Sequence, residues 1–535
     1  MSTYDVIVVG AGSAGCVIAS RLCADPSVRV LLIEAGARYR HRHPLVRAPL
    51  GWHPVSDSRR FGWGFATEPE PATGNRVLPQ PRGKLLGGTS SINGMMYSRG
   101  NRGDYDGWAR SGLSGWSYDS VLPYFRRSES SWRGETTYHG AAGPMRVSAN
   151  PKEPGIYPVM IETARQLGHS EVDDFHGPTQ EGFGMPDFTT RGGRRESAAT
   201  AFLIPALHRP NLTLATHAQV VRVRLEGATA TGVDYVQHGR LTSAAAGEVI
   251  LSGGAFGSPQ MLLLSGIGQP DELGAAGVTV RHELPAVGRN LQDHPLVPAV
   301  FQGSRAFNFE KLLRLDRLTG SALRWLATGG GPVGEAPVSV QGFVQLRQET
   351  GFPDTQFQVS HVSFMARPWF PGWRAGAGHQ FTAAAMQLRP RGRGSVTLRS
   401  SDPFAAPCIR LGLMQEEADR RAAREMFSFM RQFFATPPAS ELIAQELFPG
   451  DGVNSPAEID AFLRGTIQTG MHPTSSCAMG VDPATSVVDA GLRVHGLRGL
   501  RVADASVMPR IVSGNTHAPA VMIGEKAADL ALGLA

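Results

Sequence analysis

Tyr4-Asp5-Val6-Ile7-Val8-Val9-Gly10-Ala11-Gly12-Ser13-Ala14-Gly15, followed by Val28-Arg29-Val30-Leu31-Leu32-Ile33-Glu34-Ala35-Gly36, reads as a nucleotide cradle. Val6 to Val9 is a continuous apolar run of β-branched residues, the pattern of a strand buried on both faces of a parallel sheet. Gly10, Gly12 and Gly15 fill a G-x-G-x-x-G spacing where that strand turns into a helix, expected over Cys16 to Cys23. Gly10 permits the tight turn, Gly12 lets the backbone approach a pyrophosphate, and Gly15 lets helix and strand pack closely. The pyrophosphate then sits at the helix N-terminus, with Ser13 and Ala14 in the cradle, where unpaired N–H groups and the dipole favour an anion. Val28 to Ile33 is a second buried strand that delivers Glu34 and Ala35, with Glu34 nineteen positions after Gly15. A carboxylate there accepts hydrogen bonds from both ribose hydroxyls and repels a 2′-phosphate, which speaks against NADP. The motif alone does not separate NAD from FAD.

Working outward, 535 residues exceed one ordinary core, since domains run to roughly 100–200 residues, and two intimately joined domains are expected. Hydrophobic content of 41% with 18% charged residues is ordinary globular composition. A net charge of +6, with Lys and Arg scattered among acids, argues against nucleic-acid binding. Cys16, Cys23, Cys408 and Cys477 show no metal-ligand spacing and read as buried small hydrophobes in a reducing compartment. The chain enters its first strand within a few residues and holds no apolar run of eighteen or more, so a soluble cytoplasmic protein is expected. The stretch rich in Arg and His from Arg38 to Arg47 reads either as a solvated surface loop or as a lid or subunit contact.

Residues 82–108 contain Arg82-Gly-Lys-Leu-Leu86-Gly87-Gly88-Thr-Ser90-Ser-Ile-Asn93-Gly94-Met95. In this loop, backbone N–H groups and small hydroxyls converge into a nest for a phosphate or a ring edge. The stretch resembles the first signature of the glucose-methanol-choline (GMC) oxidoreductases, whose members bind FAD and oxidise alcohols. Ser252-Gly-Gly254-Ala-Phe-Gly-Ser-Pro-Gln-Met-Leu-Leu-Leu-Ser-Gly-Ile-Gly268 resembles the second signature. Val287-Gly-Arg-Asn-Leu-Gln-Asp-His294 resembles the linker back to the substrate domain, and Gly499 to Leu530 the closing segment.

The resemblance implies an α/β fold in which a Rossmann-type FAD-binding domain is interleaved with an α+β substrate domain built on an antiparallel sheet. The FAD domain is expected over residues 1–150, 211–294 and 466–535, and the substrate domain over 151–210 and 295–465. Strands are expected at Asn211 to Thr216 and Ala218 to Val223, and in the second domain at Val338 to Leu346, Thr355 to Val362, Thr382 to Leu388 and Ser395 to Leu398. Helices around Glu416 to Phe434 and Pro456 to Thr466 would back that sheet. The resemblance places Arg82, Leu86, Gly87, Gly88, Ser90, Asn93, Gly94, Met95, Val220, Gly254, Asp504, Ala505, Asn515, Thr516 and His517 at the cofactor, with the backbone of Val220 facing adenine. Ile92 stands where some members carry a histidine joined covalently to the flavin, and isoleucine cannot form that bond, so non-covalent FAD is expected.

Removing a hydroxyl proton needs a base that titrates near the working pH, and histidine is the natural choice. Gly470-Met-His472-Pro-Thr-Ser-Ser-Cys-Ala-Met-Gly480 supplies one and resembles the family's catalytic histidine segment. Ser513-Gly-Asn515-Thr-His517-Ala-Pro519 occupies the place of the family's second polar residue. Asn515 binds the alcohol oxygen but takes no proton at neutral pH, which leaves His472 as the base. The expected step is hydride transfer from the carbinol carbon to flavin nitrogen 5, giving an aldehyde or ketone.

Phe357, His361, Phe364, Trp369 and Phe370 are candidate pocket aromatics, although core packing is the plainer reading of an aromatic stripe. Val338 to Phe343 lacks the acid a quaternary ammonium would need, so choline is not favoured, although Glu335 is near in sequence. The resemblance is nearest to bacterial dehydrogenases of primary alcohols and sugar-like polyols; a primary, aromatic or polyol alcohol is the expected substrate and a quinone or dye-like compound the expected acceptor. An oxidase using oxygen, a flavin-dependent fatty-acid photodecarboxylase and a flavin-containing lyase are the alternatives. The photoenzyme uses a cysteine near the position of Leu388, which this chain lacks. Oligomeric state is open.

Overall fold

The computed structural model describes residues 3–152, 155–305, 308–363 and 366–534. Thr3–Val9 and Val30–Ile33 pair in parallel, with Val9 opposite Ile33. All residues from Val6 to Val9 and from Val30 to Ile33 are buried, which accounts for their unbroken apolar runs. The sheet runs in the order Leu212–Ala215, Val30–Ile33, Thr3–Val9, Arg240–Leu251, Thr229–Gln237, Ala218–Glu226, and Leu500–Val502 joins Arg240–Leu251 in parallel. Val9, Ile33, Leu251 and Val502 therefore end along one carboxyl edge, where α/β sheets bind their ligands.

The first helix, Ser13–Leu22, starts three residues before the expected Cys16, because Gly12 already serves as its N-cap. Its glycines act at short range. Gly10 has φ +102°, and a Cβ on Gly15 would lie 1.9 Å from the Gly10 carbonyl oxygen. The helix is buried nearly all round because the closing helix, His517–Leu532, packs against it. A Cβ on Gly524 would stand 2.8 Å from the Ala14 carbonyl oxygen, and Arg21 pairs with Glu525 at 2.8 Å beside this contact.

The second sheet is antiparallel, in the order Ile443–Phe448, Pro295–Gly303, Gln380–Gln387, Thr355–Ser360, Val338–Val344, Gly182–Gly184, with Gln468–Thr469 on the start of Pro295–Gly303. One face is backed by the helix Glu417–Ala435, whose Phe429, Phe433 and Phe434 pack with Phe183, Phe301, Phe357 and Phe381. The helix Pro456–Thr466 lies where expected. Ser395–Thr397 is a correction: it pairs with Cys408–Arg410 in a separate two-stranded sheet, because Gly394 brings its backbone onto Arg410. Cys408 is half-buried there, whereas Cys16, Cys23 and Cys477 are buried, and all four thiols are free.

Two further features were not legible in the sequence. Met96–Tyr97, Asp187–Phe188, Met145–Ala149 and Glu129–Ser131 form a four-stranded sheet of their own. Ala198–Ala206 packs in the core of the first sheet although it follows the substrate-side strand Gly182–Gly184. Among the described residues no helix is long and apolar enough to cross a membrane, and no group of three His, Cys, Asp or Glu could hold a metal ion.

Candidate active site

A cavity of about 570 Å³ lies between the carboxyl edge of the parallel sheet and the open face of the antiparallel one. It is lined by Gly10, Gly12, Ser13, Ala14, Glu34, Ala35, Arg82, Gly88, Ser90, Asn93, Gly94, Met95, Val220, Gly254, Asp504, Ala505, Asn515, Thr516, His517 and His472. Three expected cofactor residues stand behind the wall instead. Gly15 is packed on Gly10, the Leu86 side chain is fully buried, and Gly87 donates its N–H to the Ala11 carbonyl at 2.8 Å.

At the nucleotide end, Glu34 accepts from the Ala11 N–H at 3.0 Å and the Gly36 N–H at 2.7 Å, and burial raises its carboxyl to about 7. Gly88 crosses Gly12 so closely that a Cβ would lie 2.8 Å from the Gly12 Cα. Asp504 ties the second signature to the closing segment: its carboxylate accepts from the Gly254 N–H at 2.8 Å, the Ser258 hydroxyl at 2.6 Å and the Ser506 N–H at 2.7 Å. It thereby also caps the turn that follows it. His517 contacts the Ser13 hydroxyl through Nδ1 at 3.0 Å, while its buried Nε2 has no protein partner. An open glycine cradle at a helix N-terminus, the buried carboxyl of Glu34 at the end of the second strand and an orphaned imidazole nitrogen fit a dinucleotide cofactor.

At the other end, the Nε2 atom of His472 lies 3.0 Å from the Asn515 amide nitrogen, and its Nδ1 atom lies 3.1 Å from the Nδ1 atom of His294. The loop is held by Asp293, which accepts from the backbone N–H groups of His472 and His294, each at 2.8 Å, and from the Thr469 hydroxyl. Met471 takes a left-handed φ of 61°, fixed by its N–H to Thr469 Oγ1 at 2.9 Å and by Arg82 Nη2 to its carbonyl at 2.8 Å. Gly470 is needed for the approach, since a Cβ would meet Met386 Sδ at 3.0 Å and His472 Nδ1 at 3.1 Å.

Burial, then the neighbouring His294 and Arg82, hold His472 well below its ordinary value of 6.5. The expectation of a base titrating near neutrality is therefore corrected: His472 is a neutral imidazole throughout the neutral range. His294 is pushed down to about 3 by burial, and His517 to about 4 by burial and Arg195. Burial raises Asp293 to about 6.

Leu296, Pro298, Val338, Gln358 and Met386 from the antiparallel sheet complete the reactive end, with Trp52, Met96, Pro337 and Gln468. No carboxylate stands among them, and Glu335 does not line the cavity. Of the candidate aromatics, Phe357 is fully buried in the second core, and His361 is buried against Ser339. Trp369 binds the Glu310 carbonyl, and Phe370 is exposed. None of these four lines the cavity, because strand alternation turns Phe357 inward and Gln358 outward. Phe364 lies outside the described residues.

Sequence reasoning passed over Asp293 and His294, although both close the quoted motif Val287 to His294. It also passed over Arg195, a buried guanidinium that binds the Val46 carbonyl at 2.8 Å and the Asn93 side-chain oxygen at 2.8 Å. The Arg- and His-rich stretch folds into short helices leading to Trp52–Ser56, and Trp52, His53, Ser56 and Asp57 line the cavity. Its signal was length, a long irregular segment within a compact unit.

The chain matches family models described as GMC oxidoreductase over residues 4–296 and 390–524. An oxygen-dependent choline dehydrogenase 1 of Chromohalobacter salexigens is 40% identical over 98% of this chain and 94% of that protein. The oxygen-dependent choline dehydrogenase of Paraburkholderia phymatum is 40% identical over 98% and 92%. Among solved structures, pyridoxine 4-oxidase from Mesorbium loti superposes with TM-score 0.87 at 30% identity, covering 98% of both chains. A formate oxidase superposes with TM-score 0.92 at 27% identity, covering 99% of this chain and 98% of that one. With its Rossmann-type nucleotide sheet, its antiparallel substrate sheet and the cavity between them, this chain belongs to the GMC oxidoreductases, FAD enzymes that act on CH–OH groups.

Proposed function

We propose that the enzyme oxidises a neutral primary, aromatic or polyol alcohol to the aldehyde or ketone, with His472 as base, Asn515 as the oxygen-binding group and FAD held non-covalently. The observation that carries this reading is the His472–Asn515 pair, set at 3.0 Å in a cavity whose sheet wall, Leu296, Val338 and Met386, is apolar. The C. salexigens and P. phymatum relatives are named for choline; the sheet residues Leu296, Val338 and Met386 suit a neutral apolar alcohol, whereas Trp52, Trp63, Phe65 and Phe256, which also line the cavity, are the aromatics a quaternary ammonium would use, so choline is the comparison substrate in the test.

FAD, when bound, supplies the two-electron acceptor for the carbinol hydride. The glycine cradle, Ser13, Glu34, Val220, Asp504 and His517 would hold it. Asn515 Nδ2 and His472 Nε2 present a donor beside an acceptor, so an alcohol hydroxyl accepts from the first and donates its proton to the second. Asp293 and Arg82 fix the loop that aims His472. Ile92 packs with Val46, Val55, Phe61 and Leu85 and offers no atom for a covalent link.

The nucleotide part comprises 1–150, 211–294 and 466–535 and the substrate part 151–210 and 295–465, a division that most of the two separate cores supports, with Ala198–Ala206 in the first core and Leu78, Ala255, Phe256, Leu291 and Ile467 in the second as exceptions. A cytoplasmic setting is supported by four unpaired cysteines. A quinone or dye-like acceptor completes the reading, although the choline-dehydrogenase relatives' names favour oxygen.

The test is anaerobic mixing of the flavin-loaded protein with alkanols, benzyl alcohols, polyols and choline. Neutral alcohols should bleach the flavin at least about tenfold faster than choline, the discrimination expected for burying a charge without a partner. Fastest bleaching by choline would overturn the substrate class, and no bleaching at all would overturn alcohol oxidation. Readmitted air then decides between oxygen and another acceptor.

A further inference from the structure

Seven of the seventeen large apolar side chains exposed among the described residues fall on three segments, 38–60, 305–330 and 366–378. Within the helix Leu315–Thr328, Leu315, Thr319, Leu323 and Leu326 recur at helical spacing and form one exposed stripe. Trp325 and Leu318 turn the other way, into a small cluster with Ala48, Leu50 and Val333, which joins this helix to the 38–60 segment. Trp369 joins the third segment to the first turn: the Leu315 N–H donates to its carbonyl at 2.9 Å, and its own N–H donates to the Leu313 carbonyl at 3.1 Å. Phe370 and Trp373 follow, 42% and 60% exposed, with the Arg374 guanidinium 4.7 Å from the Trp373 ring centre.

The same surface concentrates the positive charge of the molecule. The three segments carry thirteen Lys and Arg against three acids, whereas the rest of the chain is net acidic, with 39 against 43. The view that basic residues are scattered among acids is thus corrected. Two of the three acids are engaged locally, Asp316 by Arg314 at 2.5 Å and Asp57 by His53 at 3.3 Å. On its inner side the 38–60 segment lines the cavity with Trp52, His53, Ser56 and Asp57.

We infer that this surface docks on an anionic phospholipid bilayer. An exposed leucine stripe flanked by arginines, with a tryptophan and a phenylalanine beside it, is the composition of a segment lying in the membrane interface. The excess of cations chooses the occupant. Anionic headgroups neutralise it, whereas a second copy in a two-fold contact would set the same positive surface against itself. Docking brings the segment that lines the cavity against the lipid, where an apolar alcohol or a lipid-soluble acceptor is concentrated.

The test uses the full-length, flavin-loaded protein sedimented with vesicles of phosphatidylcholine, with and without phosphatidylglycerol. Binding is expected with the anionic vesicles, roughly tenfold weaker with phosphatidylcholine alone and weakened by salt. Leu323→Asp and Trp373→Ser should each reduce it by a similar factor while flavin content and turnover with a soluble dye stay unchanged. Failure to bind anionic vesicles, or equal binding by both variants, would overturn the inference. A dimer that the same substitutions dissociate, in a protein that ignores vesicles, would overturn it too and assign the surface to a second copy.

Discussion

The Nδ1 atoms of His294 and His472 face each other at 3.1 Å, and two such nitrogens attract only when one proton lies between them. With the Asn515 amide nitrogen 3.0 Å from Nε2, the arrangement that satisfies every contact puts the proton of His472 on Nδ1. Nε2 then carries the free lone pair of the ring, which accepts from the Asn515 amide until a hydroxyl inserts between the two. In the proposed reaction His294 is a positioning residue, selecting the tautomer in which His472 would act as base.

The depressed pKa of His472 sets the pH dependence of substrate oxidation. The neutral form persists above its folded value, which lies well below 6.5, so the rate of flavin reduction should be flat through neutrality. It should fall only as pH drops below that ordinary histidine value. Stopped-flow reduction by a saturating alcohol across the acid range reads this directly, and an inflection above 6.5 would refute it.

His294→Ala removes the partner on Nδ1 and frees the ring to take either tautomer. Flavin reduction should slow roughly 10- to 100-fold, with alcohol binding little changed, so the loss appears in kcat rather than KM. A fall in KM-linked affinity alone would assign His294 to substrate binding instead.

Glu34 accepts two backbone hydrogen bonds in a buried position and lines the nucleotide end of the cavity. In its proposed role Glu34 also accepts from the ribose hydroxyls, and a hydrogen bond to a charged group contributes about 1.5–3 kcal/mol. Glu34→Ala should retain FAD at least about tenfold less tightly, seen as a lower flavin-to-protein absorbance ratio after gel filtration.

How far the sequence carried the reading differs between the two ends of the cavity. At the nucleotide end the strand, the glycine turn and the buried position of Glu34 were legible, because they are neighbours in sequence and each follows from local geometry. Gly15 shows this: its need for close packing was read from spacing, and any Cβ there would lie only 1.9 Å from the Gly10 carbonyl oxygen. The reactive end is assembled from residues far apart in the chain. Asp293, Met386 and Arg82 converge on the His472 loop through sheet register and one left-handed residue, Met471, which no local pattern announces. Candidate aromatics such as Phe357 failed for a related reason, since a strand's period is visible in sequence but not which face looks at the cavity.

Gly15→Ala should be poorly tolerated for the reason just given. Relieving the overlap means prising the first helix from its strand, a shift expected to destabilise by about 1–3 kcal/mol or more and to release FAD with it. Thermal unfolding followed by flavin fluorescence measures both effects in one scan.

Away from the cavity, Glu129 is buried with Arg99 at 2.6 Å and His139 at 2.9 Å, and these partners hold its carboxyl down to about 2. Its stabilising contribution is complete above the ordinary value of 4.5 and is lost as pH falls from there towards 2. Glu129→Gln leaves Arg99 buried without its counter-charge and should cost about 3–5 kcal/mol, read from the denaturation midpoint at neutral pH.

The central claim is that His472 takes the proton of the alcohol, and single-turnover reduction of the bound flavin by an alcohol, with His472→Ala beside the parent protein, tests it most directly. The substitution should leave FAD content unchanged and slow reduction by roughly 100- to 10,000-fold, the usual contribution of a positioned general base. Reduction within a few-fold of the parent rate would contradict it and move the proton acceptor to another group.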